Sequence, residues 1–366
     1  MFQQAVRDLA QKRIASYVEE IDQFGDFPQD IANILCQGRL FGLIVPKEYG
    51  GQGAGFVEFC LAIEELSKVC PTSAIICATQ NLGCRLVLTA GDEAQKKKYL
   101  PGLASGEILY GLVLNEPRVG VDSATGRVTA VSDGEGYTLN GSGYFITNGD
   151  VSHITSVFAV THAGGEMLAA FIVERDTPGF SVTKMEGMRG GQARYANEGL
   201  LRDCRLPRDK LLGREGDGMS IASNLFSAAG VAAAARATGL AQSAFDYSLE
   251  YAKQRVQFGR PIARFQAMQA MLADMATKVE ASRCLLYKAA LFLEQLDKDA
   301  ARFGAMAKYF ASNAAMSVTC DAVQILGGYG CTMDYPVERM MRNAKLTQIA
   351  EGSNQAQQLT LAALLL

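Results

Sequence analysis

Tryptophan is absent from this sequence of 366 residues, and histidine occurs only twice, at His153 and His162. So few imidazoles argue against a histidine-rich metal site and disfavour a Ser-His-Asp catalytic arrangement. Nine cysteines are scattered along the chain without a CxxC spacing. This odd number predicts free thiols in a reducing compartment rather than a disulfide framework.

The chain also lacks a strong charge and a long uninterrupted apolar run. The net charge is -3, which gives no reason to expect nucleic acid or an anionic membrane as a partner. No apolar run reaches the length needed to span a bilayer. The first residues, MFQQAVRDLAQKR, lack the apolar core of a signal peptide. We therefore expect a cytoplasmic protein without nucleic-acid or membrane partners.

What is present divides into three regions. Apolar residues at helical spacing predict α-helices in residues 1–109. Residues 110–215 alternate and break at Asp-Gly and Asn-Gly turns, which predicts a small β-domain, a barrel or a sandwich. Residues 216–366 return to long segments of helix-forming residues, which predict a bundle of three or four long helices. The fold class expected is α+β, in the order helical, β and helical.

Two short stretches of the β-region could bind a ligand, although each has an ordinary explanation. In LNEPRVGVD, residues 114–122, Gly120 would let the backbone approach a ligand closely, or it is part of a simple strand-turn. In GYFITNGD, residues 143–150, the bare pattern is a hairpin. The functional interpretation gives Phe145 a flat contact with a bound ring and Thr147 a hydrogen bond to it.

Three stretches of the helical region are equally ambiguous when taken alone. Arg255, in QRVQFGRPI, complements the dipole of a helix end or binds a phosphate. Gly327 and Gly328, in DAVQILGGYG, stop a helix or leave the backbone bare for a pyrophosphate. Neither stretch is a Walker A or GxGxxG motif. Glu351, in IAEGSNQAQ, is a solvated acid or a base that removes a proton.

Taken together and in this order along the chain, these stretches resemble a known family, although no single stretch does so on its own. The matching segments are VPKEYGGQGAGF, NEPRVGVD, NGSGYFITNG, GLAQSAFDYSLEYAKQRVQFGRPIARFQAMQAMLADM and DAVQILGGYGCTMDYPVERMMRNAKLTQIAEGSNQ. With them the chain resembles an acyl-CoA dehydrogenase from end to end, and the last two are the most specific. The resemblance implies that family's fold with its C-terminal four-helix bundle, a homotetramer built as a dimer of dimers, and FAD between the β-domain and the bundle. It also implies desaturation of an acyl-CoA to a trans-2-enoyl-CoA, with an electron-transferring flavoprotein as the electron acceptor.

The resemblance also implies roles for individual residues. Thr147 matches the residue whose hydroxyl approaches flavin N5, and Glu351 matches the catalytic base. Some branches of the family place the base earlier, but the corresponding stretch NLFSAAGVAA contains no acid. The implied FAD contacts are Leu112, Leu114, Asn115, Gly120, Phe145, Thr147, Arg255, Phe258, Gln324, Gly327, Gly328, Ser353 and Gln355, of which Arg255 and Phe258 reach the FAD of a neighbouring subunit. The implied substrate side comprises Val121, Gly230, Ala350 and Gly352.

Several positions depart from the family pattern. Asn115 replaces a threonine, Phe145 a tryptophan and Val121 a serine, while Ala350 replaces a bulky aromatic residue and Gly230 an arginine. These departures leave open an unusual branched, cyclic or aromatic acyl group, or an acyl group on a carrier protein. They also leave open the reverse reaction of an enoyl-CoA reductase. A helical scaffold that kept the fold and lost the flavin is the alternative from a different class.

Overall fold

The structure is a computed structural model, and it describes residues 1–24, 27–115, 128–161, 167–184 and 196–366. Two of the residues singled out from the sequence, Gly120 and Val121, lie outside the described residues. The predicted order of a helical region, a sheet and a second helical region is confirmed. The proposed domain boundaries remain predictions.

Helices make up the first region, and one predicted helix is interrupted. The helices are α1 (Phe2–Leu9), α2 (Val18–Phe24), α3 (Gln29–Gln37), α4 (Phe56–Val69), α5 (Pro71–Ala90) and α6 (Glu93–Ser105). Between α1 and α2 the chain forms a π turn (Ala10–Ile14) and a 3-10 turn (Ala15–Tyr17). Ala10 and Ile14 are both fully buried. Because the π turn is wider than an α-helical turn, Ala10 and Ile14, four residues apart, still lie on the same face. The predicted apolar face is therefore retained, although the helix is not regular.

The described strands of the middle region form one eight-stranded sheet. They are β1 (Tyr110–Asn115), β2 (Thr129–Ser132), β3 (Gly136–Thr147), β4 (Ile154–Thr161), β5 (Met167–Glu174), β6 (Phe180–Lys184), β7 (Ala196–Pro207) and β8 (Leu211–Leu212). Their order is β6-β7-β3-β1-β4-β5-β8, and β2 pairs with β3 and β4. The sheet has a core of its own, in which the rings of Tyr137 and Phe171 lie 4.9 Å apart in an edge-on arrangement.

Long helices return in the last region. They are α7 (Gly218–Gln254), α8 (Gln266–Glu294), α9 (Ala300–Leu326), α10 (Val337–Ile349) and α11 (Asn354–Leu365), with the short strands β9 (Val256–Gln257) and β10 (Arg260–Pro261) between α7 and α8. α7 packs against α4, α8 and α9. Small residues allow this close approach: a Cβ at Gly239 of α7 would lie 2.3 Å from the Glu64 carbonyl oxygen of α4. α7 is therefore the central helix of the bundle.

α7 also corrects one expectation from the sequence. It contains an 18-residue window of mean hydropathy 1.3, so by length and composition it passes as a membrane span, although no uninterrupted apolar run in it is that long. Among the described residues, α7 is the one helix that is long and apolar enough to pass as a membrane span. Within the fold, 61% of that window is buried, as in the core helix of a bundle.

Candidate active site

A tight turn between α10 and α11 carries Glu351. α10 ends at Ile349, and Ala350 is already extended, with φ -71° and ψ 163°. Glu351 itself has a left-handed backbone with φ 50°, and Gly352 follows with φ 86°. Ser353 then caps α11, and its Oγ accepts a hydrogen bond from the Ala356 N–H at 3.2 Å. The helix therefore breaks before Gly352, and a non-glycine residue in this region of φ is a strained feature typical of functional sites.

Close packing fixes the position of this turn against α7. A Cβ at Gly352 would lie only 2.1 Å from Cζ of Phe226, so no larger residue fits there without movement. The side chain of Gln357, from α11, donates a hydrogen bond to the Glu351 carbonyl at 3.4 Å. The peptide that carries the carboxylate is therefore held from α7 and from α11.

The carboxylate of Glu351 is paired with a buried arginine that sequence reasoning missed. Arg236 of α7 donates from Nη1 to Oε1 at 3.1 Å and from Nη2 to Oε2 at 2.8 Å. The Arg236 side chain is 3% exposed and that of Glu351 is 14% exposed. The sequence does contain a signal, because Arg236 is the only charged residue of α7 between Gly218 and Phe245. A lone charge in a buried apolar helix requires a partner.

α9 holds both ends of the same turn with polar side chains. The ammonium of Lys308 donates to the Gln348 carbonyl at 3.2 Å and to Asn354 Oδ1 at 2.9 Å. Ser312 donates to the same Oδ1 at 2.9 Å. Asn313 Oδ1 accepts from Gln348 Nε2 at 2.7 Å and from Asn354 Nδ2 at 3.0 Å. These bonds fix the residues on both sides of the Glu351 turn relative to the bundle.

Gly230 belongs to this cluster and lies beside Lys308. A Cβ at Gly230 would lie 3.7 Å from the Lys308 Cβ and 3.7 Å from Gln357 Nε2. The space beside the glycine is therefore filled by the lysine stem and the amide. Burial lowers the pKa of Lys308 to about 7, while the charge of Glu351 acts to raise it and that of Arg236 to lower it. The predicted substrate positions Gly230, Ala350 and Gly352 thus lie around Glu351.

A second group of predicted residues lies where α7 and α9 end. A cavity of about 520 Å³ is lined by Arg255, Gly327, Gly328 and Tyr329, among others. The Arg255 guanidinium lies 5.6 Å from the centre of the Tyr329 ring. Gly327 has φ 62°, and a Cβ at Gly327 or Gly328 would meet no described atom within 4 Å. Bare backbone and an exposed cation thus face the same space.

Four further predicted contacts lie outside this lining. Phe258, on the turn between β9 and β10, has φ 51° and is 92% exposed, and its ring meets Phe265 edge-on. Gln324 is exposed on the last turn of α9, where its carbonyl accepts the Gly327 N–H. Ser353 is the cap of α11, and Gln355 is exposed on that helix. The exposed ring of Phe258 contributes little to the packing of its own chain.

A third group lies on the sheet. Leu112 of β1 pairs with Thr147 of β3, and Asn115 pairs with Phe145. Phe145 is 39% exposed and Thr147 half-buried, and the two share one face of β3 because they are two residues apart. The predicted contacts Leu114 and Asn115 are placed only by their backbone in β1. The structure thus brings the candidate residues together as three groups, one on the sheet and two in the bundle.

The chain belongs to the acyl-CoA dehydrogenase family. The model of the family's N-terminal domain matches residues 1–107, that of the middle domain residues 111–198, and that of the C-terminal domain residues 216–366. A relative from Bacillus subtilis named acyl-CoA dehydrogenase is 43% identical over 369 residues, which cover 100% of this chain and 97% of the relative. The resemblance found in the motifs therefore extends over the whole sequence.

Solved structures give the same result. The butyryl-CoA dehydrogenase of Megasphaera elsdenii is 38% identical, with a TM-score of 0.93 and coverage of 100% of this chain and 97% of that one. A chain from work on the electron transferring flavoprotein of Acidaminococcus fermentans is 41% identical, with a TM-score of 0.94 and the same coverage. An acyl-CoA dehydrogenase from Bacillus anthracis complexed with FAD is 31% identical, with a TM-score of 0.90, covering 100% of this chain and 65% of that one.

Proposed function

We propose that this chain is an FAD-dependent acyl-CoA dehydrogenase in which Glu351 removes a proton from carbon 2 of a thioester. The observation that carries this assignment is the Glu351 turn. A largely buried carboxylate is presented by a left-handed backbone and held by three helices, in a chain that matches the family over its whole length. An ordinary solvated acid would need none of these features.

The residues present fit FAD at two places. At the ends of α7 and α9, Arg255 and the open backbone of Gly327 and Gly328 face one cavity, where a guanidinium and a backbone without side chains suit the close approach of a pyrophosphate. On the sheet, Phe145 and Thr147 offer an aromatic face and a hydroxyl on the same side of β3. Bound FAD would supply the acceptor for the hydride that leaves carbon 3 of the acyl group.

The chain's own residues have definable tasks in this reaction. Glu351 accepts the proton from carbon 2, and its carboxylate accepts two hydrogen bonds from Arg236. The absence of a side chain at Gly352 lets the turn lie close against Phe226 of α7. Since little of either charged side chain is exposed, bulk water has limited access to the base.

We further propose that four copies assemble as a dimer of dimers and that an electron-transferring flavoprotein reoxidises the enzyme. The exposed ring of Phe258 and the exposed side chain of Arg255, three residues apart in sequence, support a site completed by a second copy. The nine free thiols support the cytoplasm as the compartment. The relative named short-chain specific, from Clostridium acetobutylicum, supports short acyl groups as the first thioesters to test.

The test is an anaerobic titration of the purified yellow protein with a panel of acyl-CoA thioesters, short chains first. We expect bleaching of the flavin absorbance by at least one saturated thioester. Glu351→Gln should retain flavin and lose the bleaching, because an amide cannot accept the proton. The matched control is Glu135→Gln, which changes an exposed glutamate in the turn before β3 and should bleach like the wild type.

The outcomes separate the alternatives. A colourless protein that takes up no FAD would identify a scaffold. A protein that binds FAD but is bleached by no saturated thioester, and whose reduced form is reoxidised by enoyl thioesters, would work in the reductase direction. Bleaching of Glu351→Gln at the wild-type rate would show that the base lies elsewhere.

A further inference from the structure

Arg236 forms a buried ion pair at a place where packing does not require one. It lies in the run VAAAARATG of α7, whose other side chains are small and buried. Its own main-chain carbonyl is fixed by the hydroxyl of Ser67 of α4 at 2.7 Å. The Nε of Arg236 is buried without a hydrogen-bond partner among the described residues. Arg236 is thus buried with Glu351 as its charged partner and with one nitrogen that has no partner among the described residues.

A purely stabilising role explains this pair poorly. Removing two charges from water costs as much as their attraction returns in many proteins, and apolar replacements of buried pairs are often neutral or stabilising. Here the partner of the cation is also the residue with the left-handed backbone, at φ 50°. Strain and a buried charge pair coincide at one side chain, which is the pattern of a functional site.

The geometry of the pair is compatible with proton transfer. A carboxylate has about four lone-pair positions, and the two contacts with Arg236 occupy two of them. The remaining positions can accept a proton while both hydrogen bonds from Arg236 stay in place. A two-point contact also fixes the plane of the carboxylate, which a single point charge would not do.

We infer that Arg236 is a positioning residue for Glu351, which keeps a cation against the carboxylate and holds it in one orientation before the substrate binds. This inference rests on the proposed function of Glu351. The ionised groups that face the carboxylate in the described structure are Arg236 from α7 and Lys308 from α9, while α11 contributes the neutral amide of Gln357. Since the pKa of Lys308 is lowered to about 7 by burial, its charge varies near neutral pH, and Arg236 is the constant cation.

The test compares Arg236→Gln and Arg236→Lys with the wild type. In Arg236→Gln the acid limb of the pH profile of kcat/KM should move upward by about one to three pH units, because a buried carboxylate without its cation takes up a proton more readily. In Arg236→Lys the charge remains but the two-point contact is lost. Its acid limb should stay near that of the wild type, while its rate on the plateau falls about ten-fold or more through loss of orientation.

A second readout does not depend on turnover. Infrared difference spectra recorded during a pH titration report the protonated carboxyl band of Glu351, identified by its absence in Glu351→Gln. This band should appear at higher pH in Arg236→Gln than in the wild type, by the same shift as the acid limb. A merely structural role would lower the melting temperature and leave both titrations where they are.

The outcomes distinguish this inference from the proposed function. If no thioester bleaches the wild type, the proposed function fails, and the infrared titration still measures the coupling of Arg236 to Glu351. If the wild type is active and both titrations of Arg236→Gln coincide with it, the inference is wrong. Should Arg236→Gln fail to fold, Arg236→Lys decides: a wild-type plateau rate at equal flavin content overturns the inference, and the expected loss supports it.

Discussion

Lys308 of α9 donates a hydrogen bond to Asn354, the first residue of α11, over 2.9 Å. The same ammonium holds the Gln348 carbonyl near the end of α10, so one buried cation joins both sides of the Glu351 turn. Lys308 is fully buried, and its stem fills the space beside Gly230. A buried lysine next to the candidate base should make both stability and site geometry depend on pH.

Lys308→Met should weaken the pH dependence of stability in the alkaline range. Burial lowers the pKa of Lys308 from its usual 10.5 to about 7 in the folded protein, so between these values the unfolded chain binds more protons than the folded one. Stability therefore rises with pH from about 7 toward 10.5, by up to about 1.4 kcal/mol per pH unit from this group. Urea unfolding of both proteins between these limits measures the two slopes.

The absolute stability of Lys308→Met is a poorer measure than its slope, because methionine leaves the Gln348 carbonyl and Asn354 Oδ1 without their donor. Lys298→Met is the matched control, since it removes an exposed lysine from the loop before α9 and should keep the wild-type slope. An identical slope in wild type and Lys308→Met would show that the folded protein does not depress the proton affinity of this side chain.

Gly352→Ala should disrupt the Glu351 turn for two reasons. Its φ of 86° is left-handed, which costs an alanine about 1–2 kcal/mol. Its Cβ would also lie 2.1 Å from the Phe226 ring, and overpacking of this kind typically costs a further ~1–3 kcal/mol. We expect a lower melting temperature and a loss of thioester-dependent bleaching, with flavin content unchanged.

Gly50→Ala separates these two reasons. Gly50 also has φ 86°, but a Cβ there meets no described atom within 4 Å, so this variant reports backbone strain alone. It should lose stability and keep full activity. Adding Phe226→Leu to Gly352→Ala should recover part of the loss by making space for the new methyl group. Equal effects of the two alanine variants on stability and activity would argue against the clash.

The order of helical, sheet and helical regions could be predicted because it depends on local patterns. Helical spacing, strand alternation and Asn-Gly turns are properties of short segments, and the structure places α1–α6, β1–β8 and α7–α11 where those patterns are found. The irregular turns between Ala10 and Tyr17 were not predicted, since the same apolar spacing suits a regular helix. The course of a helix through such a segment is decided by packing.

Residues of the candidate site could be predicted from the sequence only where they lie within a recognisable motif. Glu351, Arg255 and the paired glycines lie in stretches typical of the family, whereas Arg236 and Lys308 lie in alanine-rich helices that resemble plain core. Arg236 is 115 residues from its partner in sequence. A lone charge inside an apolar helix signals that a partner exists, but which residue it is depends on how helices pack.

Arg255→Ala should weaken retention of FAD. A charged hydrogen bond contributes about 1.5–3 kcal/mol, so we expect the Kd of FAD to rise about ten- to hundred-fold. Flavin content after dialysis and titration of the flavin-free protein measure the change. Arg260→Ala is the matched control, because Arg260 lies five residues away over the Phe265 ring and outside the cavity lining. Equal retention by both variants would contradict a role for Arg255 in binding the cofactor.

Co-expression of Arg255→Ala with Glu351→Gln tests whether one site is built from two subunits. Each variant alone should be inactive under limiting FAD. Arg255→Ala lacks the bound cofactor, and Glu351→Gln lacks the base. If Arg255 serves the FAD of a neighbouring copy, a mixed oligomer contains sites with Glu351 from one chain and Arg255 from the other. Part of the wild-type bleaching should then return.

Two affinity tags, one on each variant, isolate the mixed oligomers for this measurement. The control pairs Arg236→Gln with Glu351→Gln, because these two residues touch within one chain, at 2.8 Å, and no mixture can recreate a site that contains both. Bleaching beyond the sum of the two separate variants in the first mixture, and not in the second, would identify a site shared between subunits. If the isolated mixed oligomers show no such gain in either mixture, Arg255 serves the site of its own chain, and the shared-subunit proposal would be wrong.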